Sequence, residues 1–270
     1  MSAKAPRKKI RWDLWMIVTV GVSIFYMLFL LYPLISMLSK SVIGEDGGFT
    51  WQYFAKVFQK KYYQRAIWGS LKISATVTLI TVLLATPLAY IMSTVKIRFA
   101  SALQILILVS SMSAPFIGAY AWIMLCGRNG TITNFLLNTF GIKLGDIYGF
   151  KGCVIVMSLQ LYSLVFMFVS GAFKNMDNSL IEASESLGCS GIRKIFKVVL
   201  PLILPTLLSG ALMVFMRTFA DYGTPMLIGE NYNTLPVVVY KEFLSEIGSS
   251  DGMAAAISII AIVITTAVFL

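Results

Sequence analysis

Six long stretches of this chain contain no Asp, Glu, Lys or Arg: residues 14–39, 73–95, 99–127, 152–173, 198–216 and 252–270. An α-helix needs about 20 apolar residues to cross the hydrocarbon core of a bilayer. All six runs meet or approach that length, the fifth and sixth being the shortest at 19. In lipid every backbone N–H and C=O must be satisfied within the chain, which leaves helices or a closed barrel, and runs without alternation exclude the barrel. A composition of 58% hydrophobic and 13% charged residues fits no ordinary soluble domain. The expected fold class is an all-α integral membrane protein with six transmembrane helices.

The net charge of +10 is a matter of topology rather than of nucleic-acid binding. With the N-terminus inside, segments 1–13, 96–98 and 174–197 carry 11 Lys/Arg in 40 residues, whereas the outer segments 40–65, 128–151 and 221–251 carry 9 in 81. This asymmetry predicts a cytoplasmic N-terminus under the positive-inside rule. Lys4, Arg7, Lys8, Lys9 and Arg11 then face anionic headgroups of the bilayer. There is no histidine, and Cys126, Cys153 and Cys189 lack metal-site spacing, so neither a metal centre nor a Ser-His or Cys-His catalytic pair is expected. No GxxxxGK[ST] phosphate loop occurs either. Acidic residues, which an ion-coupled carrier commonly uses, are absent from all six runs.

Two parts follow from the order of these runs. Residues 1–67 comprise a cytoplasmic tail, the first transmembrane helix and an outer segment whose amphipathic piece, 51–58, reads as an interfacial helix. Residues 68–270 form the core. Within it the third run holds Ser110, Ser111, Ser113, Pro115 and Gly118, which fit either close helix packing or a polar translocation path. Arg217 and Asp221, four apart, are expected to neutralise each other. Gly223, Pro225 and Gly229 interrupt an apolar stretch at the membrane edge, as a re-entrant gate would, or as a loop packed on the bundle would. The last run stops at Leu270 without a polar flank, so the chain reads as cut in or at the end of a helix.

One polar segment, 177–201, has an order of its own. Ser179 and Glu182 have capping-box spacing and predict a short helix starting near Leu180. Leu180, Ala183 and Leu187 share one helical face, and Glu182 and Glu185 point elsewhere. Gly188 suits a left-handed cap, after which a second helix restarts near Ser190. Glu182-Ala183-Ser184, three residues, Gly188, nine residues and Val198-Val199-Leu200-Pro201 resemble the EAA loop of permease subunits of bacterial binding-protein-dependent ABC importers. Ser184 in place of the second Ala and Val198 in place of the usual Ile are departures from that pattern.

The resemblance extends over residues 68–270. GSLKISATVTL followed by PLAY at 87–90 is similar to the start of the family's core domain. FADYGTPMLIG at 219–229 and LPVVVYKEF resemble permeases of the iron(III) type, with spermidine/putrescine and phosphonate relatives sharing much of this. It implies a type I importer permease whose short helix couples to a cytoplasmic ATPase through Leu180, Glu182, Ala183, Glu185, Leu187 and Gly188. It also implies a second permease module, identical or different, an extracytoplasmic substrate-binding protein, ATP bound by the partner rather than by this chain, and residence in the bacterial inner membrane. Pore or gate candidates are Ser113, Pro115, Gly223, Pro225 and Gly229. Iron(III)-type permeases are often double-length, so a half-length permease and the first half of a longer one are both compatible with one EAA loop. An ATP-independent carrier or channel is the competing hypothesis, supported by the polar third run.

Overall fold

Helices make up almost everything in the computed structural model, which describes residues 14–44, 47–95, 97–112, 114–142, 145–189, 191–244 and 251–270. In chain order they are α1 (Leu14–Val42), α2 (Gln52–Gln59), α3 (Lys61–Thr94), α4 (Ala100–Ser111), α5 (Pro115–Cys126), α6 (Thr131–Phe140) and α7 (Phe150–Lys174). Then follow α8 (Asn178–Ser186), α9 (Gly191–Ala220), α10 (Gly223–Ile228), α11 (Leu235–Leu244) and α12 (Asp251–Phe269). Five of these, α1, α3, α7, α9 and α12, are each long and apolar enough to cross a bilayer.

The third apolar run is the exception to uniform spans. It breaks between α4 and α5, the arms Ala100–Ser110 and Pro115–Phe140 meeting at 102°, so it makes a sixth span only as a bent pair. The break falls where the sequence puts its proline: Pro115 opens α5, and Ala114 before it is extended (ψ 143°), as the residue preceding a proline prefers. Prolines also mark two π-turns. In α1 the Met27–Leu31 turn closes with the Tyr32 N–H on the Met27 carbonyl, just before Pro33. In α9 the Ile195–Val199 turn closes with the Leu200 N–H on the Ile195 carbonyl, just before Pro201. A proline removes one N–H and crowds the carbonyl four residues back, and a widened turn makes room for the ring without ending the helix.

Two cores hold the bundle. The larger joins α3, α7 and α9 through Ile73, Val77, Val156, Val165, Val169, Ile203 and Val214. Ring pairs give the direction: Lys72 lies over Phe150 at one end and Tyr90 faces Phe173 at the other, so α3 and α7 run parallel. Small residues on α3 (Gly69, Ser70, Ser74, Ala85 and Ala89) are buried, letting helices approach closely where no hydrophobic driving force acts between them. Gly210 of α9 likewise packs on the Phe168 side chain of α7.

The smaller core joins α2, the start of α3, α11 and α12 through Tyr53, Val57, Ala66, Leu235, Val238 and Ile257. The expected interfacial helix is therefore α2, but Val57 is fully buried: it lies on protein with one face, while Trp51 and Phe58 beside it stay exposed. The junction at 67/68 falls inside α3, which runs unbroken from Lys61. The part of α1 from Tyr32 onward packs against α12.

Candidate functional site: the α8 turn and the opposite face

The parallel run of α3 and α7 places their ends in two clusters. At one end α7 stops at Lys174, and the chain turns through α8 into α9. The helix starts at Asn178 rather than near Leu180, and its cap is Asp177 rather than Ser179: the Asp177 Oδ1 accepts the Ser179 N–H at 2.9 Å. Aspartate wins because its carboxylate also complements the helix dipole. Bonds from the Ser179 N–H and hydroxyl hold the exposed Asp177 carboxyl below its ordinary value, against some desolvation. With a depressed folded value, the cap is at full strength above the ordinary carboxylate range and is lost as pH falls through the folded value.

The far end of α8 closes as the glycine predicts. Gly188 has φ +80°, its N–H donates to the Glu185 carbonyl at 2.9 Å, and the Cys189 N–H donates to the Ser184 carbonyl at 2.9 Å. Those two bonds make a Schellman motif, which fixes the direction in which the chain leaves the helix. Glu185 forms an ion pair with Lys194 in the first turn of α9, bridging the corner. The predicted restart residue, Ser190, lies outside the described residues, and α9 begins at Gly191.

Exposure sorts the faces of α8. Ile181 and Ser184 are partly covered, whereas Leu180, Ala183 and Leu187 are exposed, Leu187 to 88%. Glu182 is exposed beside them. Leu180 also lines a cleft of about 580 Å³ between α7 and α9, with Met176 and Ile203. Ile192 and Phe196 of α9 are exposed as well, four apart, and extend the apolar surface beyond the residues nominated from sequence. Their signal was their spacing, masked by Arg193, Lys194 and Lys197, which make the stretch read as polar.

At the opposite end the pore and gate candidates fall into place unevenly. Ser113 lies outside the described residues. Pro115 is exposed at the start of α5, and its neighbour Phe116 packs edge-on against Tyr222 (centroids 5.1 Å) and lies over Gly223. α5 and α10 therefore touch. The segment after α9 holds two short helices joined by the irregular residues 229–234: Gly223, Pro225 and Pro236 fall in their first turns, and Gly223, Thr224, Pro225 and Ile228 are buried. Gly229 admits no Cβ, because one there would stand 2.3 Å from the Pro225 carbonyl oxygen. The Gly149 N–H donates to the Ile228 carbonyl at 2.8 Å, tying α10 to the entry of α7.

Asp221 does not pair with Arg217. Its Oδ1 accepts the Gly223 N–H at 2.8 Å and so caps α10, a nearer set of donors than a guanidinium one turn back. The ion pairs on this face come from residues the sequence does not single out. Arg128 bridges Asp146 at 2.9 Å and Glu230 at 2.7 Å, with its guanidinium 4.8 Å from the Tyr148 ring. Three loops distant in sequence meet there.

A protein-family model described as the binding-protein-dependent transport system inner membrane component matches residues 3–270. The chain belongs to that family. The chain is similar to a protein of Haemophilus influenzae named a putative ferric transport system permease protein, with 26% identity over 213 residues, 78% of this chain and 34% of that one. It thus spans about a third of the length of such ferric relatives. Another similar protein of that organism is the spermidine/putrescine transport system permease protein PotB, 27% identical over 90% of this chain and 88% of its own. The fold matches a chain of a bacterial alginate ABC transporter solved with its alginate-bound periplasmic protein, at TM-score 0.73, 19% identity and 94% coverage of this chain, 91% of that one. The chain is accordingly a multi-pass inner-membrane protein with the fold of that transporter chain.

Proposed function

We propose that the chain is the membrane-spanning permease of an ATP-driven importer, in which α8 seats in a cleft of a cytoplasmic ATPase subunit. The observation that carries this is the α8 turn: a short helix fixed at both ends, with an apolar face left uncovered at the EAA spacing. A second permease module, the same or different, completes the translocation path, and an extracytoplasmic binding protein delivers cargo at the end bearing Arg128. Uneven distribution of Lys and Arg supports a cytoplasmic N-terminus. ATP binding and hydrolysis belong to the partner, and this chain supplies no catalytic group or cofactor of its own. Because α8 is held between α7 and α9, closure of the ATPase moves these spans as rigid bodies and exchanges inward-open for outward-open states.

Purification of the complete chain with its neighbouring gene products tests this directly. A nucleotide-binding subunit co-purifies, and uptake into proteoliposomes requires ATP; transport by the chain with no ATPase present would make it a carrier or channel instead. Iron(III) is the cargo that FADYGTPMLIG and the ferric relatives favour, and the polyamine reading draws on a relative of matching length. Cells expressing the complete system separate these by uptake of labelled iron(III), putrescine or 2-aminoethylphosphonate, each challenged with an excess of the others.

Gly223, Pro225 and Gly229 serve as a gate whose mobility is set by the α5–α10 contact. Cysteines introduced at Thr224 and Met226 in a background without Cys126, Cys153 and Cys189 are expected to change labelling rate severalfold between nucleotide-free and ATP-trapped complexes. Equal rates in both states identify α10 as a passive plug.

A further inference from the structure

Lys61, Arg65, Trp68 and Lys72 recur at intervals of four, three and four, and so line one face of α3. They open onto a cleft of about 660 Å³ whose opposite wall is Asn231, Tyr232 and Asn233 from the α10–α11 turn. The wall is held in place, since the Tyr232 hydroxyl donates to the Gly69 carbonyl at 2.7 Å and the Lys241 Nζ donates to the Asn233 Oδ1 at 2.8 Å. Among the described residues that line the cleft there are three cations and no carboxylate. Of the acids close by, Glu230 is paired with Arg128, and Glu242 accepts the Tyr63 hydroxyl at 2.9 Å from a residue outside the lining. A cluster of like charges beside fixed amide groups is built for an anion rather than for itself.

Depth says which anion. α3 has 34 residues, about 51 Å at 1.5 Å per residue, whereas the hydrocarbon core takes about 20 residues of helix. Its charged first turns, as far as Lys72, therefore rise through the headgroup layer at the end opposite α8. Trp68 is 72% exposed in that layer, where indole rings anchor. Below Lys72 the same helix face continues with the exposed side chains of Leu79 and Leu83. We propose that the cleft binds the headgroup of an acidic phospholipid, its phosphodiester among Lys61, Arg65 and Lys72 and its acyl chains along Leu79 and Leu83. The lipid would clamp α3 to the α10–α11 turn, and this holds whatever cargo the permease carries.

The test uses the purified full chain in nanodiscs containing phosphatidylglycerol or phosphatidylcholine brominated on the acyl chains. Trp68 emission is isolated as the difference between the native chain and Trp68→Phe. Brominated phosphatidylglycerol, as a minor component, quenches Trp68, and brominated phosphatidylcholine at the same fraction does not. Arg65→Gln raises the phosphatidylglycerol needed for half-quenching about fivefold, and Lys61→Gln/Arg65→Gln/Lys72→Gln on the order of a hundredfold. Lys40→Gln, at another cleft, leaves it unchanged. Equal quenching by the two lipids, an unaltered triple variant, or an equal loss in Lys40→Gln overturns the proposal. Relief of quenching by millimolar inorganic phosphate assigns the cleft to soluble anions and overturns it too.

Discussion

Gly188→Val is expected to reduce ATP-dependent uptake at least tenfold while the chain still inserts and purifies. Nothing lies within 4 Å of a Cβ at Gly188, so the effect is not a clash. It comes from φ +80°, a conformation that costs an ordinary L-residue about 1–2 kcal/mol and a β-branched residue more. The chain escapes by giving up the Schellman bonds from Gly188 and Cys189, and α8 then no longer holds a fixed angle to α9. Gly188→Asn, which tolerates the left-handed region, retains most activity. Glu182→Lys changes the exposed face without touching the turn, and is expected to lower uptake with normal insertion. Proteoliposomes carrying the complete transporter give both readouts, and normal uptake in Gly188→Val and Glu182→Lys together removes the coupling role from α8.

The second large effect is expected at the smaller core, where Gly252→Ala destabilises the chain by about 1–3 kcal/mol. A Cβ at Gly252 would stand 2.5 Å from the Tyr53 ring on one side and 2.9 Å from the Lys40 carbonyl oxygen on the other. Tyr53 is buried and the carbonyl is backbone, so neither side can yield without moving α2 or the end of α1. Gly171→Ala is the matched control: it lies in α7 with open space at its Cβ, and gains helix propensity instead. Thermal unfolding in detergent should lower the midpoint for Gly252→Ala and leave or raise it for Gly171→Ala. Equal midpoints for the native chain and Gly252→Ala would mean that α12 docks less tightly than these distances imply.

How far residues alone lead depends on the range of the interaction. Gly188, Pro115 and Pro201 act through their own backbone, and each produced its local feature: a left-handed cap, a helix break, a widened turn. Ser179 and Asp177 are both acceptors near the start of α8, and the capping-box pattern pointed to Ser179 although the helix begins two residues earlier, where Asp177 accepts the Ser179 N–H. Arg217 and Asp221 are close in sequence, yet Asp221 turned to the donors that α10 placed nearer. The two short helices within 221–244 were hidden by its four breakers, which mark the ends of α10 and α11 rather than an absence of helix.

By itself the sequence determined the solvent, the helical class and the local form of the turn after α8, since lipid obliges apolar runs to satisfy their own backbone and a glycine cap acts within its own turn. Only the tertiary structure decided which faces are free. The parallel packing of α3 on α7 is what leaves Leu187 uncovered at one end and brings Arg128, Asp146 and Glu230 together at the other. It also sets Lys61, Arg65 and Lys72 against Asn231 and Asn233. Those partners lie far apart along the chain, and no local propensity records which helix ends will meet.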